Sequence, residues 1–427
     1  MGLSVMLPIY QPETAPVSIH DILAGTVLPI GAWVAPPPAG VSGNNPDYIT
    51  DETYRLAKEA GFTMLYGLYE NLEHRREDAR RALTCAQRSG LRYLAVSCGL
   101  ADGQTPEELV PGLIQGESAH PAYLGVLAYD EPSVAQLDTL GTIAAGYRAA
   151  LPGRLFYVNL LPLCAKSTQI ERHKTDESGR PCTVEEYRRY LELFIEKLKP
   201  PVLSFDNYPC EGRFPHMADH YFLNLSLVSA AGKAHSLPVW CFIQTCAWNR
   251  KVRVPQEAEI LWQVNTALAY GVRGIQYFTF WQPLEDGEWR GGMVHLDGRL
   301  NPQYAYVKAA NACIRLSQDL LMRGCFEGVL VHLSSPAPVP KEDILPAFGP
   351  LCGLAGELPA LVGCFSGNGE AGYYVVNNTV TTAGCVRLLF NRAVRGQVRE
   401  NGDIRLFHGD SLELRLAAGD GAYVQLS

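Results

Sequence analysis

Short apolar runs and amphipathic runs alternate eight times along the first three quarters of the chain. The apolar runs are Leu28–Val34, Thr63–Tyr69, Tyr93–Ser97, Leu124–Tyr129, Leu155–Asn159, Val202–Phe205, Val239–Ile243 and Gly274–Phe280. They are rich in Val, Ile, Leu, Tyr and Phe and show little polar alternation, the pattern of strands buried on both faces of a parallel sheet. Helical periodicity follows in Asp51–Ala60, Glu73–Ser89, Pro106–Ile114, Ser133–Ala150, Val184–Leu198, Asp219–His235, Gln256–Ala269 and Asn301–Leu321. Gly61, Gly90 and Gly271 stand where three of these helices should end. Eight strand–helix units in this order predict an α/β fold, a (β/α)8 TIM barrel.

The texture changes at Cys325. Val329–Leu333, Tyr373–Asn377, Val386–Phe390, Ile404–Phe407, Leu412–Leu416 and Tyr423–Leu426 are short and alternating. The turn signals Gly367-Asn368-Gly369, Asn401-Gly402-Asp403, Gly409-Asp410 and Gly419-Asp420-Gly421 separate them. This predicts a small antiparallel β-sandwich. The Pro-rich stretch Ser334–Pro350 reads as a surface loop. The expected division is an N-terminal extension (1–27), the barrel (28–323) and the sandwich (324–427).

Composition narrows the function. The chain has 427 residues, 47% hydrophobic and 19% charged, with a net charge of −8. It has no basic run, so no nucleic-acid partner is expected. No apolar stretch reaches the roughly 18 residues that a membrane span needs. Met1–Leu7 lacks the marks of a secretory leader, which points to the cytoplasm. The twelve Cys include no CxxC pair and several lie inside apolar elements, so they read as reduced and mostly buried rather than as disulfides or metal ligands. The sequence leaves a homo-oligomer open.

In a barrel the chemistry belongs to the C-terminal strand ends. Those positions carry Trp33, Tyr69-Glu70, Cys98, Tyr129-Asp130-Glu131, Asn159, Asp206-Asn207-Tyr208, Gln244 with Trp248 beyond it, and Phe280-Trp281-Gln282. No strand holds a Lys for a Schiff base or a His for a metal, and no dinucleotide fingerprint or P-loop lysine occurs. The Gly-rich stretch Gly287–Gly292 lacks a helix start behind it and reads as a loop. No metal or organic cofactor is implied. Carboxylates, amides and aromatics remain, which is the inventory of a carbohydrate site: sugar C–H faces pack on rings, hydroxyls bond amides, and glycosidic cleavage uses two carboxyl groups. Glu131 and Asp206 are the expected catalytic pair. Trp33, Glu70, Asp130, Asn159, Asn207, Tyr208, Gln244, Trp248, Tyr277 and Trp281 are expected to contact the sugar. Plainer readings exist for several: Asp130 or Ser133 could cap the next helix, Asp206 could serve the turn before Pro209, and Glu70 could pair with Arg75 or Arg76.

These residues also carry a resemblance. Gly125–Ser133 (GVLAYDEPS) resembles strand four of TIM-barrel glycoside hydrolases, and Tyr157–Pro162 and Leu203–Pro209 resemble their strands five and six. Leu268–Gly271 with Gly274–Phe278 resembles the lead-in to strand eight in the β-galactosidase-like members. Val375–Asn378 and the late Leu-Arg-Leu strand resemble their accessory sandwich. The resemblance implies a glycosidase. In clan A of these enzymes a Glu on strand four is the acid/base, which Glu131 matches, and a Glu on strand seven is the nucleophile, where this chain has Gln244. Other barrel glycosidases carry their carboxylates on strands four and six, which would pair Glu131 or Asp130 with Asp206 and leaves the roles open. The rival expectations are a sugar-binding barrel without hydrolysis, and a lyase or isomerase of a sugar acid with Glu70 or Asp206 as base.

Overall fold

The computed structural model describes residues 18–23, 25–284, 288–333, 337–367, 371–400 and 402–427. Met1–Leu7, Gly287, Asn368, Gly369, Asn401 and the start of the Ser334–Pro350 loop lie outside them.

Eight parallel strands close into a barrel: β1 (Ile30–Trp33), β2 (Met64–Asn71), β3 (Arg92–Val96), β4 (Tyr123–Asp130), β5 (Leu155–Leu160), β6 (Leu203–Asp206), β7 (Val239–Gln244) and β8 (Gly274–Phe278). The ring is sealed where Ile30–Trp33 pairs in register with Ile275–Phe278. A helix follows each strand: α1 (Asp51–Glu59), α2 (Arg76–Arg88), α3 (Pro106–Leu113), α4 (Leu137–Ala150), α5 (Val184–Leu198), α6 (Tyr221–His235), α7 (Glu257–Ala269) and α8 (Pro302–Arg323). β5 and β7 are buried at every position. Such strands carry no alternation because helices cover one face and the barrel interior the other.

The barrel interior is partly polar. Tyr66 and Tyr157 both donate to Gln276 Oε1, the latter at 2.6 Å, and Gln276 Nε2 donates to Ser204 Oγ at 2.9 Å. Ser204 in turn donates to Asn159 Oδ1 at 3.0 Å. Each buried polar group in this series is satisfied by the next, so the network fixes side-chain orientation up to the strand ends.

A seven-stranded antiparallel sheet follows, formed by β9 (Cys325–His332), β10 (Leu351–Gly356), β11 (Ala360–Ser366), β12 (Gly372–Asn377), β13 (Gly384–Glu400), β14 (Asp403–Leu416) and β15 (Gly421–Leu426). β13 makes a sandwich of it. Its first part pairs with β10 and its last part with β15, and the register slips between Leu389 and Val394. The inner residues Val362, Val375, Val386, Leu388, Leu414 and Val424 form a second core.

Two expectations need correction. Gly409-Asp410 does not end a strand: β14 runs unbroken through it, because the slip in β13 takes up the irregularity at Val394–Gly409. β10 and β11 were not expected, since Gly353, Gly356 and Gly363 thin out the apolar alternation.

The sandwich seats on α7. A Cβ on Gly363 would lie 2.0 Å from Ala269 O, and one on Gly419 would lie 2.1 Å from Ala258 O. Trp262 Nε1 donates to Asn378 Oδ1 (2.7 Å), Asn265 Nδ2 to Gly419 O (2.8 Å) and Tyr374 OH to Asn265 Oδ1 (2.8 Å). Tyr373, Tyr374 and Tyr423, the aromatics that could have formed a sugar platform on this domain, are all buried. Among the described residues no helix is long and apolar enough to cross a membrane.

Candidate active site

Three carboxylates meet above β4 and β6. Asn159 sits between them on β5. Because its Oδ1 is occupied by Ser204, its Nδ2 faces the acids and reaches Asp206 Oδ1 at 2.8 Å and Asp130 Oδ1 at 3.5 Å. Glu131 follows Asp130 at the point where β4 ends. Its backbone is left-handed, with φ +56°, a conformation that costs a non-glycine residue about 1–2 kcal/mol. Its N–H donates to Asn159 O at 2.9 Å, and the chain then passes through Pro132 to Ser133, whose N–H is held by Gln136 Oε1 at 3.0 Å. The β4 end thus presents Asp130 and Glu131 side by side, and neither caps the following helical turn.

The residue that the strand ends did not reveal is Lys174. It comes from the β5–α5 loop, and its Nζ lies 3.0 Å from both Asp130 Oδ2 and Asp130 O. The carboxylates of Asp130 and Glu131 outweigh its burial and hold its pKa above the usual lysine value, so it stays charged. The acids are less evenly served. Burial pushes Asp206 up to about 7, aided by the charge of Asp130 and opposed by the Asn159 hydrogen bond. Glu131 is driven well above the usual carboxylate range, first by desolvation and then by Asp206 and Asp130. Glu131 remains half-buried while Asp206 is buried. Burial and like-charge repulsion thus act on both acids in the same direction, favouring a proton held by the pair over two charges side by side.

Aromatic rings gather beside the acids. Tyr208 meets Trp248 at 5.0 Å and Phe278 at 5.5 Å between centroids, and Trp289 lies 6.2 Å from Trp248 and 5.9 Å from Phe278. All four rings are partly exposed. Trp33 joins them through Phe278 at 6.2 Å and is nearly buried, its indole N–H without a partner among the described residues. Phe278 and Trp289 were not expected in this group. Period-2 alternation along β8 would have separated Phe278 from Tyr277.

The other candidates lie elsewhere. Tyr277 is buried against α8, donating to Asn311 Oδ1 at 2.8 Å. Glu70 is buried outside the mouth, accepts from Tyr93, and is pushed up to about 7 by burial. Gln244 commits its whole amide to backbone: Cys210 N, Cys246 O and Arg253 O, each at 3.0 Å. Asn207 is tied to His220 and Asn224 of the α6 end (3.1 and 2.8 Å). Trp281 is fully buried beneath Tyr48, with ring centroids 4.4 Å apart. Glu131, Asp206, Asp130, Asn159, Tyr208, Trp248 and Trp33 are therefore brought together, and Tyr277, Glu70, Gln244, Asn207 and Trp281 are not.

No protein-family model and no curated protein sequence matches this chain. Solved structures share its architecture. A β-galactosidase from Bacillus circulans sp. alkalophilus superposes with a TM-score of 0.62 over 94% of this chain and 99% of its own, at 8% identity. A glycoside hydrolase family 5 protein from Bacteroides vulgatus superposes with a TM-score of 0.57 over 93% and 88%, at 11% identity. A β-galactosidase from the psychrophilic Marinomonas ef1 is matched over 69% of this chain at a TM-score of 0.49 and 9% identity, and the chain spans about three-fifths (61%) of that protein's length. The first two superpositions agree with the class of fold described above, a TIM barrel carrying a C-terminal β-sandwich.

Proposed function

We infer that this protein is a glycoside hydrolase whose carboxylate pair is Glu131 and Asp206. The observation that carries the reading is the meeting of these two acids, both raised in pKa, beside a half-exposed aromatic wall at the C-terminal face of the barrel. The names of the two full-length structural neighbours are in keeping with it. Glu131, the more strongly raised and more accessible acid, serves as proton donor to the leaving oxygen. Asp206, steadied by the Asn159 N–H, serves as nucleophile or base. Lys174 offsets the charge of Asp130, so three acids can crowd one mouth. Tyr208, Trp248, Phe278 and Trp289 stack on the C–H faces of the sugar. No step needs a cofactor.

The test is release of aryl leaving group from a panel of aryl glycosides by wild type, Glu131→Gln and Asp206→Asn. Turnover that vanishes in both variants, with folding kept, is the expected result. Full activity in either variant removes that residue from the chemistry. One observation favours a second reading: with Gln244 bound entirely to backbone, strand seven supplies no carboxylate. A barrel that binds sugars without cleaving them would show saturable binding and no turnover.

A further inference from the structure

A second cluster lies on the same end of the barrel, in the turns that follow β2 and β3. His74 Nε2 and Asp102 Oδ2 are 2.8 Å apart, and Cys98 Sγ lies 3.1 Å from the same Asp102 oxygen. Glu73 Oε2 stands 3.4 Å from Cys98 Sγ. The Nε2, Sγ and carboxylate oxygen of His74, Cys98 and Asp102 all fall within 4.8 Å of one another. We propose that His74, Cys98 and Asp102 form a binding site for a zinc(II) ion that bridges these two turns, with Glu73 beside it holding Cys98 in place.

Three features support this. The first is the donor set: a thiol, an imidazole and a carboxylate are ligands that four-coordinate zinc takes, with water able to fill the fourth position. Tetrahedral bonds of about 2.0–2.3 Å place donors roughly 3.3–3.8 Å apart, so the His74–Asp102 and Cys98–Asp102 pairs need to open by only about half an ångström. The second is charge. Two carboxylates face one imidazole and one thiol, and among the described residues no lysine or arginine pairs with either acid. The surroundings therefore favour a cation. Metal binding would release the thiol proton to water and leave the thiolate as ligand. The third is preorganisation. Ser97 Oγ donates to Glu73 Oε1 at 2.6 Å and the Cys98 backbone N–H to Glu73 Oε2 at 3.0 Å, while the His74 backbone N–H is fixed by Asn71 Oδ1 at 2.7 Å. These contacts hold the backbone of the two turns in the arrangement that brings His74, Cys98 and Asp102 together. Positions 74, 98 and 102 match no linear spacing motif, so the sequence shows no sign of the site.

The test uses the full chain, stripped with chelator under reducing conditions and titrated with zinc chloride against a chromophoric competitor. Cobalt(II) substitution reports on the sulfur. Cys98→Ser and His74→Ala are compared with Cys352→Ser, an exposed cysteine in the sandwich. The expected result is one equivalent of zinc in wild type and in Cys352→Ser. Affinity should fall by at least about 100-fold in Cys98→Ser and His74→Ala, and the thiolate-to-cobalt charge-transfer band should be lost in Cys98→Ser. Asp102→Asn repeats the test without touching the cysteine. Absence of a one-equivalent site, or a site that Cys98→Ser and His74→Ala leave unchanged, overturns the proposal.

Discussion

Replacing Asp206 with asparagine should make the folded protein more stable at pH 8 relative to wild type than at pH 5. The reasoning starts from burial. Asp206 titrates near 3.8 when free and near 7 in the fold, because burial and the neighbouring Asp130 disfavour its charge. Between about pH 4 and pH 7 the folded chain therefore holds a proton that the unfolded chain has released. The unfolded state binds fewer protons in this window, so stability falls as pH rises across it. The separation of the two values corresponds to about 4 kcal/mol once the pH exceeds 7, and to less than half of that at pH 5. The substituted amide cannot ionise, and its carbonyl can still accept from Asn159. The substitution also removes a charge that raises Glu131, which acts in the same direction. The stability difference between variant and wild type should thus be about 2–3 kcal/mol more favourable at pH 8 than at pH 5. For a chain of this length that is roughly 2–3 °C in Tm. Thermal melts by near-ultraviolet circular dichroism at the two pH values, on both proteins, read it directly. An equal Tm difference at pH 5 and pH 8 would refute the argument, since a purely structural effect of the substitution carries no pH dependence.

Lys174→Met should lower turnover on a cleaved glycoside by roughly 10-fold and move the acidic limb of the pH–rate profile upward, because Asp130 loses its cation and its unpaired charge raises both neighbours; a profile that keeps its position and height argues that Lys174 only packs. Gly363→Ala should destabilise the chain by about 3 kcal/mol or more, since the new methyl would lie 2.0 Å from Ala269 O at the domain contact. A melt within about 1 °C of wild type would mean that β11 and α7 separate without cost.

Much of the architecture was legible because it rests on burial. All eight barrel strands lie within two residues of their apolar runs at either end. A strand covered on both faces is a continuous apolar word. The sandwich was less legible, because β10 and β11 contain three glycines, and because a bulge with a Gly-Asp pair opposite it imitates a turn. The site divided in the same way. Glu131, Asp206 and Asn159 were visible as strand-end polar residues. Lys174 was not, since it reaches Asp130 from 44 positions away along an irregular loop. Gln244, Asn207 and Glu70 also stand at strand ends, yet their polar atoms turn to backbone, helix or tyrosine. A strand-end position states where a residue begins, and its hydrogen-bond partners decide where it points.

The seating of the sandwich on α7 has a consequence for modularity. That helix is shared property: one side lines the barrel, the other receives β11, β12 and the turn before β15 through glycines that tolerate no added atom. Neither unit can be exchanged for a homologous module without re-cutting this seam on both partners at once. The C-terminal sheet is therefore fitted to the barrel backbone against backbone at α7, where Gly363 and Gly419 place no side chain between the two units to take up a misfit.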